Sequence, residues 1–139
     1  MAKTFDKRTI SYESAVQMVA AAVAKAEKLG CKQNVAVVDE GGNLKAFGRM
    51  DGAPLLGVEG CQRKAFTALF GAGTKDLYDA IKNDQSLVIG LSHFSGATMV
   101  GGGLPIIHDD EVIGGIGVGG GTVDEDIACS QAGLDVLKN

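Results

Sequence analysis

Tryptophan is absent from this sequence, and aromatic residues make up only 5% of it. Its core must therefore be built from Val, Ile, Leu and Ala, with tight turns and close backbone approaches. Basic runs are also missing. The 13 Lys and Arg are scattered and the formal net charge is −4. Long-range attraction to nucleic acid or to an anionic membrane surface is excluded on that ground. The three cysteines, Cys31, Cys61 and Cys129, include no C-x-x-C pair. An odd, dispersed set predicts free thiols in a reducing compartment, hence a cytoplasmic protein. No stretch approaches the ~20 apolar residues of a membrane span. Lys3, Lys7 and Arg8 followed by the nearly apolar Val16 to Ala24 resemble a secretory leader, but Asp6, Glu13 and Gln17 interrupt it. An amphipathic first helix is the better reading.

What the chain has in excess is glycine. It carries 21 in 139 residues, about twice the usual share of ~7%. They punctuate a regular pattern. Ser11 is a helix N-cap, and Val16, Val19, Val23, Ala26 and Leu29 follow at helical spacing until Gly30 stops the run. Val35 to Val38 reads as a strand covered on both faces. Glu40-Gly41-Gly42-Asn43 is a hairpin turn in which both glycines are expected at positive φ. The returning strand, Leu44 to Met50, alternates.

A second helix fits Leu56 to Phe70, with Val58, Cys61, Ala65, Phe66 and Leu69 inward, and a third fits Thr74 to Ile81. Gln85 to Gly96 reads equally as helix or strand. Leu104 to His108 and Val112 to Val118 form a last hairpin turned at Asp109-Asp110. Thr122 and Glu125 make a capping box for a final helix, with Val123, Ile127, Leu134 and Leu137 as its apolar face. Tight hairpins imply an antiparallel sheet, and helices covering it give a layered α+β domain. With no linker or repeat, residues 1–139 read as one domain.

Several motifs carry chemistry. Gly115-Ile116-Gly117-Val118-Gly119-Gly120 satisfies the dinucleotide fingerprint G-x-G-x-x-G. The following helix opens with Asp124, Glu125 and Asp126, which would repel a pyrophosphate, and no second βα unit follows. The run reads instead as a tight strand-to-helix connection. His93 and His108 are the only histidines. Either can ligate iron or move a proton, and both are equally plain surface histidines. They lack the spacing of a metal pair, and no Cys/His cluster suits zinc. Arg49, Asp51, Arg63 and Lys64 are expected in one neighbourhood, where a cation either pairs with Asp51 or holds a ligand carboxylate. Asp39 ends an apolar strand and either moves a proton or bonds the turn backbone. No G-x-S-x-G elbow is present.

The blocks Val35-Ala36-Val37-Val38-Asp39 with Gly41-Gly42-Asn43-Leu44, Arg49-Met50-Asp51-Gly52-Ala53, Lys64-Ala65-Phe66-Thr67, Gly102-Gly103-Leu104-Pro105-Ile106, Val112 to Val118, Asp126-Ile127-Ala128 and Gln131-Ala132-Gly133 cover nearly the whole chain. Together they resemble the GlcG/HbpS family, which includes the C-terminal haem-binding domain of PduO-type proteins. The resemblance implies a profilin-like three-layer α/β/α fold with a five-stranded antiparallel sheet. It also implies a homo-oligomer, haem or a related tetrapyrrole as ligand, and an accessory role in a catabolic pathway. On that view Arg49, Arg63 or Lys64 meets the propionates and His93 or His108 reaches the iron. A second reading is a small enzyme without organic cofactor, an isomerase, lyase or hydratase of a carboxylate substrate. There Arg49 or Lys64 binds the carboxylate, and Asp39, Asp51 or a histidine moves the proton.

Overall fold

A computed structural model describes residues 1–138. Helix α1 (Tyr12–Leu29) starts where the Ser11 hydroxyl accepts the Ser14 N–H at 3.1 Å and stops at Gly30 with φ 77°. Its buried stripe is Ala15, Met18, Ala22 and Ala26. The valines expected there sit to one side, with Val19 and Val23 half-buried and Val16 exposed. The small residues win because a neighbouring helix comes close: a Cβ on Gly133 would lie 3.1 Å from the Met18 carbonyl oxygen.

Strands β1 (Asn34–Asp39) and β2 (Leu44–Arg49) form the first hairpin, paired from Asn34↔Arg49 to Val38↔Leu44. Only Gly42 of its turn takes positive φ; Gly41 does not. The Asp39 carboxylate replaces the second special conformation by accepting the N–H groups of Gly41 and Asn43, at 3.0 and 2.9 Å. Next come α2 (Leu56–Thr67), a 3₁₀ turn (Ala68–Phe70), α3 (Thr74–Ile81) and α4 (Gln85–Ser92). The ambiguous Gln85 to Gly96 segment is thus helical in its first half, capped by Asp84. Strands β3 (Gly103–His108) and β4 (Glu111–Gly119) turn on Asp109 and Asp110, both at positive φ. Helix α5 (Val123–Asp135) carries the predicted Thr122–Glu125 capping box.

The strands form one antiparallel sheet in the order β2-β1-β4-β3. It has four strands, not the five expected. Every regular element between β2 and β3 is helical, and the segment before α1 adds one backbone-to-backbone bond, Ile10 N–H to the Ile113 carbonyl at 2.9 Å, without a ladder. Helices α1 and α5 pack together on one face, around Met18, Val35, Val37, Ile116 and Val118.

Helix α2 covers the opposite face, and glycine is what admits it. On β4 the residues facing α2 are Gly115, Gly117 and Gly119, beside Gly103 of β3. A Cβ at Gly117 would strike the Cys61 carbonyl and lie 2.6 Å from the Ala65 nitrogen. The helix meets the strand backbone to backbone, and the apparent dinucleotide fingerprint is the bed on which α2 rests.

Candidate functional site

Three cavities flank α2. The first is a cleft of about 400 Å³ between Pro54, Leu56, Gly57, Val100, Gly120 and Val123, with Lys64 and Asp126 on its floor. Lys64 falls on the same helical stripe as Cys61, Ala65 and Ala68, all fully buried. A cation there needs a partner, because an unpaired buried charge is strongly disfavoured. Asp126 supplies it. The Lys64 Nζ donates to Asp126 Oδ2 at 2.7 Å and to the Val118 carbonyl at 2.9 Å, with the two side chains 6% and 4% exposed. Asp126 Oδ1 accepts from Gln33 Nε2 at 2.9 Å and from the Gly121 N–H at 3.1 Å. One turn along α5, the Ser130 hydroxyl donates to the Gly102 carbonyl. The buried face of α5 is therefore Asp126, Cys129, Ser130 and Gly133. Val123, expected inward, is exposed, because the polar groups above meet their partners on the sheet side.

The second cavity is a groove of about 670 Å³ between the end of α2 and the α3–α4 segment. Its walls include Phe66, Phe70, Leu87, Leu91, Phe94 and Met99. Phe66 was expected in the core. It is 41% exposed, its ring lying against the Gly42 and Gly96 backbones, where added Cβ atoms would sit 2.6 and 3.1 Å from it. Behind Phe66 lies a more polar hollow of about 480 Å³ that includes Glu59, Gln62, Arg63 and Ser95. Helix α4 buries none of its residues, so its Leu87 and Ile89 remain open to solvent.

The structure distributes the residues singled out from sequence among these places. Asp39 shapes the first hairpin turn. Burial alone would raise its carboxyl, but hydrogen bonds from Asn43 and Gly41 outweigh that and hold its pKa below the usual carboxylate value. Arg49 and Asp51 are exposed at the opposite end of the β1–β2 hairpin, with no side-chain hydrogen bond or ion pair among the described residues. Lys64 is paired with Asp126, not with Asp51. Arg63 reaches Glu59 at 3.2 Å and lines the hollow behind Phe66. His93 ends α4 and is exposed beside Phe94 of the groove. His108 stands on the β3–β4 turn, 3.5 Å from Asp109, and lines none of the three cavities. Cys61 and Cys129 are no candidates for nucleophiles, since burial pushes both thiols up to about 12.

Sequence reasoning missed Asp126 and Gln33. The usable signal was Lys64 itself: a lysine on a stripe of small apolar residues demands a buried acid. It also missed the groove, whose signal was the pair Phe66 and Phe70 one helical turn apart.

Among described residues, no helix is long and apolar enough to cross a membrane, and no group of His, Cys, Asp and Glu is arranged to hold a metal ion. The chain is similar to several known proteins along nearly its whole length. A protein of 15.0 kDa encoded in the dhaT–dhaS intergenic region of Citrobacter freundii is 36% identical, with 99% of each chain covered. A crystal structure of HbpS superimposes with a TM-score of 0.91 at 33% identity, covering 99% of this chain and 96% of that one. The crystal structure of a PduOC:haem complex does so with a TM-score of 0.86 at 30% identity, covering 94% and 96%. The family described as "Haem degrading protein HbpS-like" matches residues 10–135. The resemblance of the glycine-marked blocks thus holds across the fold, and the chain belongs to the HbpS-like family.

Proposed function

We propose that this chain, acting as one domain, is a haem- or tetrapyrrole-binding accessory protein of a catabolic pathway. The observation that carries the reading is the groove. Phe66, Phe70 and Phe94 are three of only five phenylalanines in the chain, and all three wall one cavity. A volume of about 670 Å³ with mostly apolar walls is the kind of site that takes a large flat ring. The groups beside it suit the rest of the molecule. Arg63, one turn before Phe66, offers a guanidinium to a propionate. His93, the chain neighbour of Phe94, offers an imidazole to the iron and is preferred over His108, which lines no cavity, and the thioether of Met99 is a second donor within the wall. The haem named for the PduOC relative and for the family supports the same ligand. The open apolar surface of α4, with the exposed Leu55 and Leu56 at the start of α2, supports self-association into a homo-oligomer. Three free cysteines fit a cytoplasmic setting.

The enzyme reading keeps one supporting observation, Lys64 on the floor of the 400 Å³ cleft. Its charge is already neutralised by Asp126, and Asp39 stands at the other end of the β1–β2 hairpin from Arg49 and Asp51. The groove therefore carries more weight.

Titrating hemin into micromolar protein should give a saturable shift of the Soret band. In His93→Ala the band should move and affinity should fall about tenfold, the equivalent of ~1.4 kcal/mol. A wild-type protein that leaves the hemin spectrum unchanged overturns the proposal. An unchanged His93→Ala spectrum removes only that ligand.

A further inference from the structure

We infer that the cleft floored by Lys64 and Asp126 is a second binding site, one that takes a small uncharged carbonyl compound. Leu56, Val100 and Val123 line it, and each leaves apolar surface open. Its volume of about 400 Å³ is at the small end for a ligand pocket. Every charge on its lining is already paired. Lys64 meets Asp126 at 2.7 Å, and Glu59 meets Arg63 at 3.2 Å. An ionic guest would lose its hydration there and find no free counter-charge. The cleft therefore selects against carboxylates and amines alike.

The polarity of the guest follows from which hydrogen-bonding groups remain open. The acceptors around the cleft are engaged. The carbonyls of Pro54 and Gly119 take the Asn34 Nδ2, at 2.9 and 3.1 Å, and the Val118 carbonyl takes Lys64. Asp126 receives Gln33, Gly121 and Lys64. The donors are not all engaged. An ammonium has three N–H groups, and Lys64 Nζ uses two of them, on Asp126 and Val118. The Thr98 hydroxyl accepts the Val100 N–H at 3.3 Å, but its own O–H donates to nothing among the described residues. The backbone N–H of Val123, the first of α5, has no acceptor among them either. Lys64, Thr98 and Val123 all line the cleft. Open donors on a mostly apolar wall without free charge call for an accepting oxygen on a short hydrocarbon body: the carbonyl of an aldehyde, ketone or amide. No lining residue is shared with the phenylalanine groove, so this site stands or falls separately from the proposed function.

The test titrates the isotope-labelled full chain with butanone and isobutyramide, and with butyrate and butylammonium as charged comparators of similar size, following backbone amides by NMR. The two carbonyl compounds should shift Val100, Gly120, Gly121 and Val123 saturably. The charged pair should need at least about tenfold more ligand for the same change. Gly60 borders the cleft, and a Cβ there meets nothing within 4 Å, so a larger side chain has room to occupy it. Gly60→Leu, shown to be folded by circular dichroism, should abolish the saturable shifts and leave porphyrin binding as in the wild type. Thr98→Val should raise the concentration needed about three- to tenfold, the worth of one hydrogen bond. No saturable shift with either carbonyl compound, equal binding of butyrate, or undiminished binding to Gly60→Leu would overturn the inference.

Discussion

Replacing Lys64 by methionine is expected to lower stability by about 3–5 kcal/mol, the usual cost of removing one member of a buried ion pair. The cause is what remains rather than what is lost. Asp126 keeps its bonds from Gln33 and Gly121 but loses the cation paired with it, and the Val118 carbonyl loses its lysine donor. For a domain of this size that is a large share of the whole, since total stability is of order 5–15 kcal/mol. The double variant Lys64→Met, Asp126→Leu should recover most of the loss, because no charge is then left buried. Urea unfolding of the wild type and the single and double variants measures this directly: the midpoint should fall in the single variants and return in the double, at constant slope. A double variant as unstable as the singles would mean that the pair organises the fold in a way desolvation does not explain.

The second large effect is at the glycine bed. Gly117→Ala should cost about 3 kcal/mol or more, because the added methyl meets backbone rather than a movable side chain. The atoms it meets are the Cys61 carbonyl and the Ala65 nitrogen of α2, which can retreat only if the helix lifts off the sheet. Gly60, in α2 itself, is the control. A Cβ there meets nothing within 4 Å, so Gly60→Ala should stabilise by about 0.5–1 kcal/mol through helix propensity and reduced unfolded-state entropy. Thermal or urea unfolding of the two variants should move in opposite directions. Equal effects would show that backbone contact is not why β4 presents glycine to α2.

Features set by neighbours in sequence were legible without coordinates. Ser11 and Gly30 bound α1, Thr122 and Glu125 cap α5, and Asp109-Asp110 turns the last hairpin, because each uses groups within a few residues. Features set by distant contacts were not. Lys64 and Asp126 are 62 positions apart, and from sequence Asp126 read only as one of three acids at a helix start. The β4 glycines looked like a phosphate loop because their true partner, α2, lies about 50 residues earlier in the chain. The fifth strand came from family resemblance and had no segment left to form it. Phe66 was placed inward by spacing alone, whereas the Gly42 and Gly96 turns hold it at the surface, where it divides the apolar groove from the polar hollow.

The claim that matters most is that the phenylalanine-walled groove receives a tetrapyrrole ring. Metal-free protoporphyrin IX isolates that step from any iron ligand, and its own emission reports transfer from water to an apolar site. Titrated with wild-type protein, the porphyrin should brighten and saturate. With Phe66→Asp, Phe70→Asp and Phe94→Asp variants, shown to be folded by circular dichroism, the rise should be lost or need at least about tenfold more protein. Equal brightening by the wild type and all three variants would place the ring elsewhere and contradict this account.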